Sequence, residues 1–334
     1  MKEDDWVGLK QNIEISWFDP NGIDVDDIVY PDPEKIITLL GSDPTPEGFT
    51  KVPLPLPKNS VDILTEEVEA QWKVHDFNNN ILPDLRDLRY ENGKLHLKTW
   101  VTDYKSISMR REILTYLNNL VKMSHLLKSD RWHDEISAPE ILELVDVLMR
   151  NITPVTVGGA TLTKGREEFV FGKKARDPKV QHGGLYINLP AGHIRYEVPG
   201  RSTPKDAIYA ETKRELGLNP EEFPRPSVFT VVNGLTHAYD KMIIAELDTG
   251  LPPSKIEEIF RTKAGDKYET DSLLFVKNDR AEMRNTLRTY WNRMIDVGLG
   301  VYLQFGRKEH GENWYQELLA ILHSEFGAIV QDKF

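Results

Sequence analysis

The sequence predicts an α+β protein: an α/β/α sandwich around a mixed sheet over residues 151–334, preceded by a smaller N-terminal α+β domain over residues 1–150. Three observations predict it. From residue 154 onward, short β-rich runs alternate with segments of helical period. Near residue 92 an Asn-Gly turn joins two alternating apolar runs. The length, 334 residues, suits about two domains.

The elements follow in order. Residues 1–60 are acidic and rich in turn signals: Asp19-Pro20-Asn21-Gly22, Pro31-Asp32-Pro33 and Asp43-Pro44-Thr45-Pro46. In Val52–Pro57 a proline at every second position removes the donors a central strand needs, so this run reads as a surface connection. Residues 85–101 read as a hairpin, with Leu88 and Tyr90 before Asn92-Gly93 and Leu95, Leu97 and Val101 after it. Ile113, Leu117, Leu120 and Val121 put one apolar stripe on a helix over 106–128. A second helix follows Ser137, with Pro139 in its first turn and Ile141, Leu144, Val145 and Leu148 on one face. Strands are then expected at Val155–Leu162, Glu168–Phe171, the pair Val228–Asn233 and Lys241–Leu247, and Leu273–Val276. Helices are expected at 204–216, 280–296 and 312–325, the last closed by Gly327.

Composition narrows the function classes. An apolar fraction of 40% supports an ordinary core. The absence of cysteine excludes disulfides, thiolate metal sites and a cysteine nucleophile, and makes a cytoplasmic setting the expectation. A net charge of −11 disfavours nucleic acid as a main partner but is compatible with a small phosphorylated ligand, which needs only a local basic pocket. The chain shows no long apolar run that would span a membrane and no apolar leader.

The informative stretch runs from Leu189-Pro190-Ala191-Gly192-His193 to Glu215-Leu216-Gly217-Leu218. Ser202 or Thr203 can cap a helix that starts at Pro204 and is stopped by Gly217. Glu211 and Glu215 are four apart and share a face. On spacing alone that pair reads first as a solvated face neutralised by Lys213 and Arg214, with a divalent cation held by carboxylate oxygens as the alternative.

Taken whole, the stretch resembles the box of the Nudix hydrolase superfamily, G-x5-E-x7-R-E-U-x-E-E-x-G-U with U aliphatic, and the resemblance covers about residues 151–300. Gly192 matches the first glycine, Glu211 the glutamate of the R-E pair, Glu215 the second of the E-E pair, and Gly217-Leu218 the ending. The loop is four residues longer than the family's, with Glu197 out of register. Ala210 replaces the arginine of the pair, Thr212 an aliphatic residue, and Arg214 the first glutamate of the E-E pair.

The resemblance implies Mg²⁺ (or Mn²⁺) held by Glu211, Glu215 and the Ala191 carbonyl, with Glu269, or Asp271 in its place, as a further ligand or general base. Arg176 (or Lys173 or Lys174), His193 and Arg214 are candidates to contact substrate, and His237 and Tyr239 could stack on a base. It implies a Mg²⁺-dependent hydrolase of a diphosphate linkage in a nucleoside diphosphate derivative. The alternative is a catalytically inactive Nudix-fold module that senses a nucleotide or a protein partner, to which the Arg214 replacement points. A homodimer is compatible with the family.

Overall fold

The computed structural model describes residues 11–30, 81–104, 107, 131–133, 136–137, 154–176, 182–196, 201–236, 240–265 and 268–333. The proline-alternating run at 52–57, the helices expected over 106–128 (Ile107 aside) and after Ser137, Glu197, His237 and Tyr239 lie outside the described residues.

The fold is α+β, organised on a nine-stranded mixed sheet. Its strands are β1 (Asn12–Asp24), β4 (Val155–Leu162), β5 (Glu168–Lys174), β6 (Tyr186–Asn188), β7 (Ala191–His193), β8 (Ser227–Gly234), β9 (Lys241–Asp248), β10 (Thr270–Lys277) and β11 (Ile329–Asp332). The main path is β10-β5-β4-β9-β8-β1-β11, with β7 paired to β4 and β6 to β5. The β4–β9 and β1–β11 pairs are parallel and the rest antiparallel. Two further strands, β2 (Ile81–Glu91) and β3 (Lys94–Asp103), form the expected hairpin. Its turn puts Asn92 at φ 54° and Gly93 at φ 76°, the conformation this dipeptide adopts most readily.

Strand β1 was not anticipated, and it carries residues from the N-terminal segment into the large sheet between β8 and β11. Ile13, Ile15 and Trp17 alternate with Glu14 and Ser16 along it, a period-two signal hidden among turn residues.

Both faces of the sheet are covered. On one, Ile15, Phe171, Phe229, Val232 and Ile244 meet helices α3 (Arg280–Tyr290), α4 (Asp296–His310) and α5 (Glu312–Phe326). On the other, Val157, Val231, Ile243 and Ala245 meet Ala207 and Ile208 of helix α1 (Pro204–Glu211) together with Leu85, Leu95 and Leu97 of the hairpin. The hairpin therefore shares a layer with α1. Helix α2 (Pro253–Lys263) lies between β9 and β10 in the chain and buries Ile256 and Phe260.

The expected helix at 280–296 is in fact two elements. It stops at Tyr290, and Ile295, in extended backbone, leads into α4, in which residues 296–306 are all buried. A Cβ on Gly300 would lie 2.5 Å from Val232 Cγ1, and one on Gly298 would lie 3.2 Å from the Asn188 nitrogen, so these glycines let α4 lie directly on the sheet. Among the described residues, no helix is long and apolar enough to cross a membrane.

Candidate functional site

The site begins where β4 and β5 part. They pair only at Leu162 and Phe169, and the gap beyond is filled by β6 and β7. The connecting segment crosses over Gly158-Gly159, where a Cβ would fall 2.7 Å from Asn188 Nδ2 or 2.3 Å from Pro190 Cδ. Asn188 Nδ2 donates to the Gly159 carbonyl at 3.2 Å and Thr161 Oγ1 to the Leu189 carbonyl at 2.7 Å. These bonds set Ala191 and Gly192 facing helix α1.

Helix α1 starts as expected. Thr203 Oγ1 accepts from the Asp206 N–H at 3.2 Å, and Pro204 takes the first turn. The α-helix ends at Glu211, and residues 212–216 form a single π turn, a feature frequent at functional sites. Gly217, at φ 69°, closes the turn by donating its N–H to the Lys213 carbonyl at 3.1 Å. Both glutamates are buried: Glu211 is 0% exposed and Glu215 3%. The solvated-face reading of the pair is thereby excluded.

Gly192 is the close approach that makes this possible. A Cβ there would sit 2.5 Å from Glu211 Cδ. Gly192→Ala is expected to destabilise the protein by about 1–3 kcal/mol, because Glu211 is clasped on both sides and has nowhere to move. Denaturant unfolding checks this, and an unchanged midpoint would show that Glu211 gives way.

Arg214 occupies the middle of the cluster. Its Nε donates to Glu211 Oε2 at 2.7 Å, Nη2 lies 2.5 Å from the same oxygen and 3.4 Å from Glu215 Oε1, and Nη1 lies 3.5 Å from Glu269 Oε1. Arg201 Nη1 adds a second guanidinium 3.2 Å from Glu211 Oε1. Glu215 Oε2 accepts from the Ala191 N–H at 2.7 Å. Glu269 lies 3.5 Å from Lys174 Nζ and accepts from Tyr268 OH at 3.1 Å.

The electrostatics follow. Burial pushes the Glu215 carboxyl up to about 7, with Arg214 and Lys174 pulling against it. Burial also acts to raise Glu269, but Lys174 and Arg214 outweigh it and hold this carboxyl below its ordinary range. Burial alone would lower Arg214; Glu211, Glu215 and Glu269 outweigh it and hold the guanidinium firmly protonated.

The structure thus brings together Glu211, Glu215, Glu269, Arg214 and Ala191, the last engaged through its N–H. His193 sits at the edge: Nε2 is 3.7 Å from Asp240 Oδ2, and the ring meets Tyr104 edge-on at 5.5 Å. Arg176 is exposed beyond the end of β5, and it is Lys174 that β5 contributes to the cluster. Asp271 is exposed, with its neighbour Thr270 buried beside Lys174 in the sheet. Arg195 and Arg201 were not anticipated. The 195 N–H donates to the 201 carbonyl at 2.9 Å, closing a loop neck, and no local period marks such a contact.

The same geometry tests the implied metal. A divalent cation at Glu211 and Glu215 would need oxygens turned to a shared open point. Here Arg214 already lies between the two carboxylates and Glu269; Arg201 Nη1 lies 3.2 Å from the other Glu211 oxygen, which is buried and accepts no hydrogen bond among the described residues. Among the described residues, no group of three or more His, Asp or Glu side chains is arranged to hold a metal ion. The cluster is built for a guanidinium and does not fit a divalent ion as it stands.

No protein-family model matches the chain, and no curated protein matches it significantly. Several solved structures overlap it in part. A MutT protein from Methanosarcina mazei is 15% identical, with 44% of this chain and 92% of that one covered, at a TM-score of 0.26. A C. elegans Ap4A hydrolase in a binary complex is 15% identical over 50% of this chain and 97% of that one, at 0.26. A Francisella tularensis bifunctional NMN adenylyltransferase/ADP-ribose pyrophosphatase, complexed with AMP and a Mn ion, is 10% identical over 62% of this chain and 61% of that one, at 0.30. Identities and TM-scores at this level assign no function to this chain.

Proposed function

We propose that this chain is a Nudix-type module that binds a small phosphorylated, nucleotide-like ligand without metal-dependent hydrolysis. One observation carries the reading: the Arg214 guanidinium stands among Glu211, Glu215 and Glu269, where a catalytic divalent ion would have to be. A resident cation neutralises the carboxylates and at the same time repels a second one. Lys174, Arg201 and Arg214 are each partly open to solvent, and the ring of Tyr268, 57% exposed, stands beside Glu269. Cations beside an aromatic face suit a phosphorylated ligand with a planar ring.

The test is a turnover and thermal-shift panel of nucleoside diphosphate derivatives and triphosphates, with and without Mg²⁺ or Mn²⁺. The expected result is a ligand-dependent rise in melting temperature that needs no metal, with no product formed. Metal-dependent product formation, lost in Glu215→Gln, would overturn the proposal and establish the second reading, a diphosphate hydrolase. That reading is favoured by the convergence of Glu269 on the two helix carboxylates Glu211 and Glu215 and by a Glu215 carboxyl poised near neutral pH to exchange a proton.

A further inference from the structure

Among the described residues, the cluster sets four cations, Lys174, Arg195, Arg201 and Arg214, against three carboxylates, Glu211, Glu215 and Glu269. The surplus stands out in a protein of net charge −11. His193 does not alter it, being set against Asp240.

Arg195 is the residue left over. Among the described residues its side chain makes no hydrogen bond and no ion pair, although it is half-buried between the buried Ile194 and Tyr196. Tyr196 is fixed in turn by a 3.0 Å hydrogen bond with Thr99 of the hairpin. Burial disfavours the charged guanidinium most; the charge of Glu211 works against that, and Arg201 and Arg214 add to it. An arginine held half-buried with no anion of its own is an uncompensated cost to the fold unless something else supplies the anion.

We infer that Arg195, tied through its N–H to the carbonyl of Arg201, is the phosphoryl-binding subsite of this protein, and that the ligand group it takes is a phosphate or diphosphate oxyanion. The inference rests on the ligand class proposed above and adds the residue that recognises it. A planar fork of donors matches tetrahedral oxyanion geometry, and a partly dehydrated site strengthens such bonds.

The experiment uses the full chain, metal-free, titrated calorimetrically with inorganic pyrophosphate and with AMP, for the wild type, Arg195→Gln and Arg195→Lys. The wild type is expected to bind pyrophosphate, more weakly as salt rises. Arg195→Gln should lose at least about tenfold in affinity, and Arg195→Lys should retain part of it. The unliganded Arg195→Gln protein should melt at the same temperature as the wild type or higher, since it loses an unpaired cation. Unchanged affinity in Arg195→Gln, absence of pyrophosphate binding by the wild type, or a lower melting temperature of the unliganded variant would each overturn the inference, the last by showing a structural role. Metal-dependent hydrolysis in the panel above would instead defeat the proposed function while leaving the Arg195 result to stand or fall on its own.

Discussion

Arg214→Ala is expected to destabilise the protein by about 3–5 kcal/mol, because it leaves buried carboxylates without their central counter-charge. Glu211 is fully buried and would keep only Arg201 at 3.2 Å; Glu215 would keep the Ala191 N–H at 2.7 Å. Glu269 would still be held by Lys174. The same substitution empties the place a divalent ion would need. Millimolar Mg²⁺ or Mn²⁺, without effect on the wild type, should therefore raise the variant's stability, by about 1–3 kcal/mol if the ion binds the folded state at ten- to hundredfold below its working concentration. Urea unfolding with and without metal measures both effects. A variant as stable as the wild type would mean that water already screens the cluster.

Glu215→Gln should make the protein more stable above neutral pH. The folded carboxyl, raised to about 7, lies above the ordinary value of 4.5. Between those values the folded state holds a proton that the unfolded state has lost, so wild-type stability falls as pH rises through this window. Above it the whole penalty is present, on the order of 3 kcal/mol. Glutamine carries no such proton, and its amide oxygen can still accept from the Ala191 N–H. The two proteins should coincide near pH 4.5, diverge between pH 4.5 and 7, and stay apart above. Parallel stability curves across that range would show that Glu215 is ionised throughout and satisfied by Arg214.

Much of the fold was legible because local rules and tertiary packing agree. Asn92-Gly93 demanded its hairpin, Thr203-Pro204 and Gly217 bounded the glutamate-bearing helix, and Gly327, at φ 64°, closed the last one. Helix α4 was hidden for a physical reason: Gly298, Gly300 and Gly306 lower its propensity, and burial from 296 to 306 leaves no polar face to set a period. Strand β1 had its alternating signal, but prolines and aspartates around it read as turns. In the site, the spacing of Glu211 and Glu215 was visible, and so was the presence of Arg214 in a glutamate's position. That Arg214 bridges three carboxylates, that Lys174 rather than Arg176 reaches them, and that Arg195 and Arg201 close on the same point depend on contacts between distant segments, which spacing does not encode.

Whether Arg214 occupies the place of a metal ion is decided by a Mn²⁺ titration followed by electron paramagnetic resonance of the free ion, comparing the wild type with Arg214→Glu. No stoichiometric site is expected in the wild type, where Arg214 holds the position, and a gain of about one ion per chain is expected when a carboxylate replaces the guanidinium. A wild type that binds one Mn²⁺ per chain tightly would contradict this, because Arg214 would then have to leave the carboxylates and the hydrolase reading would take its place.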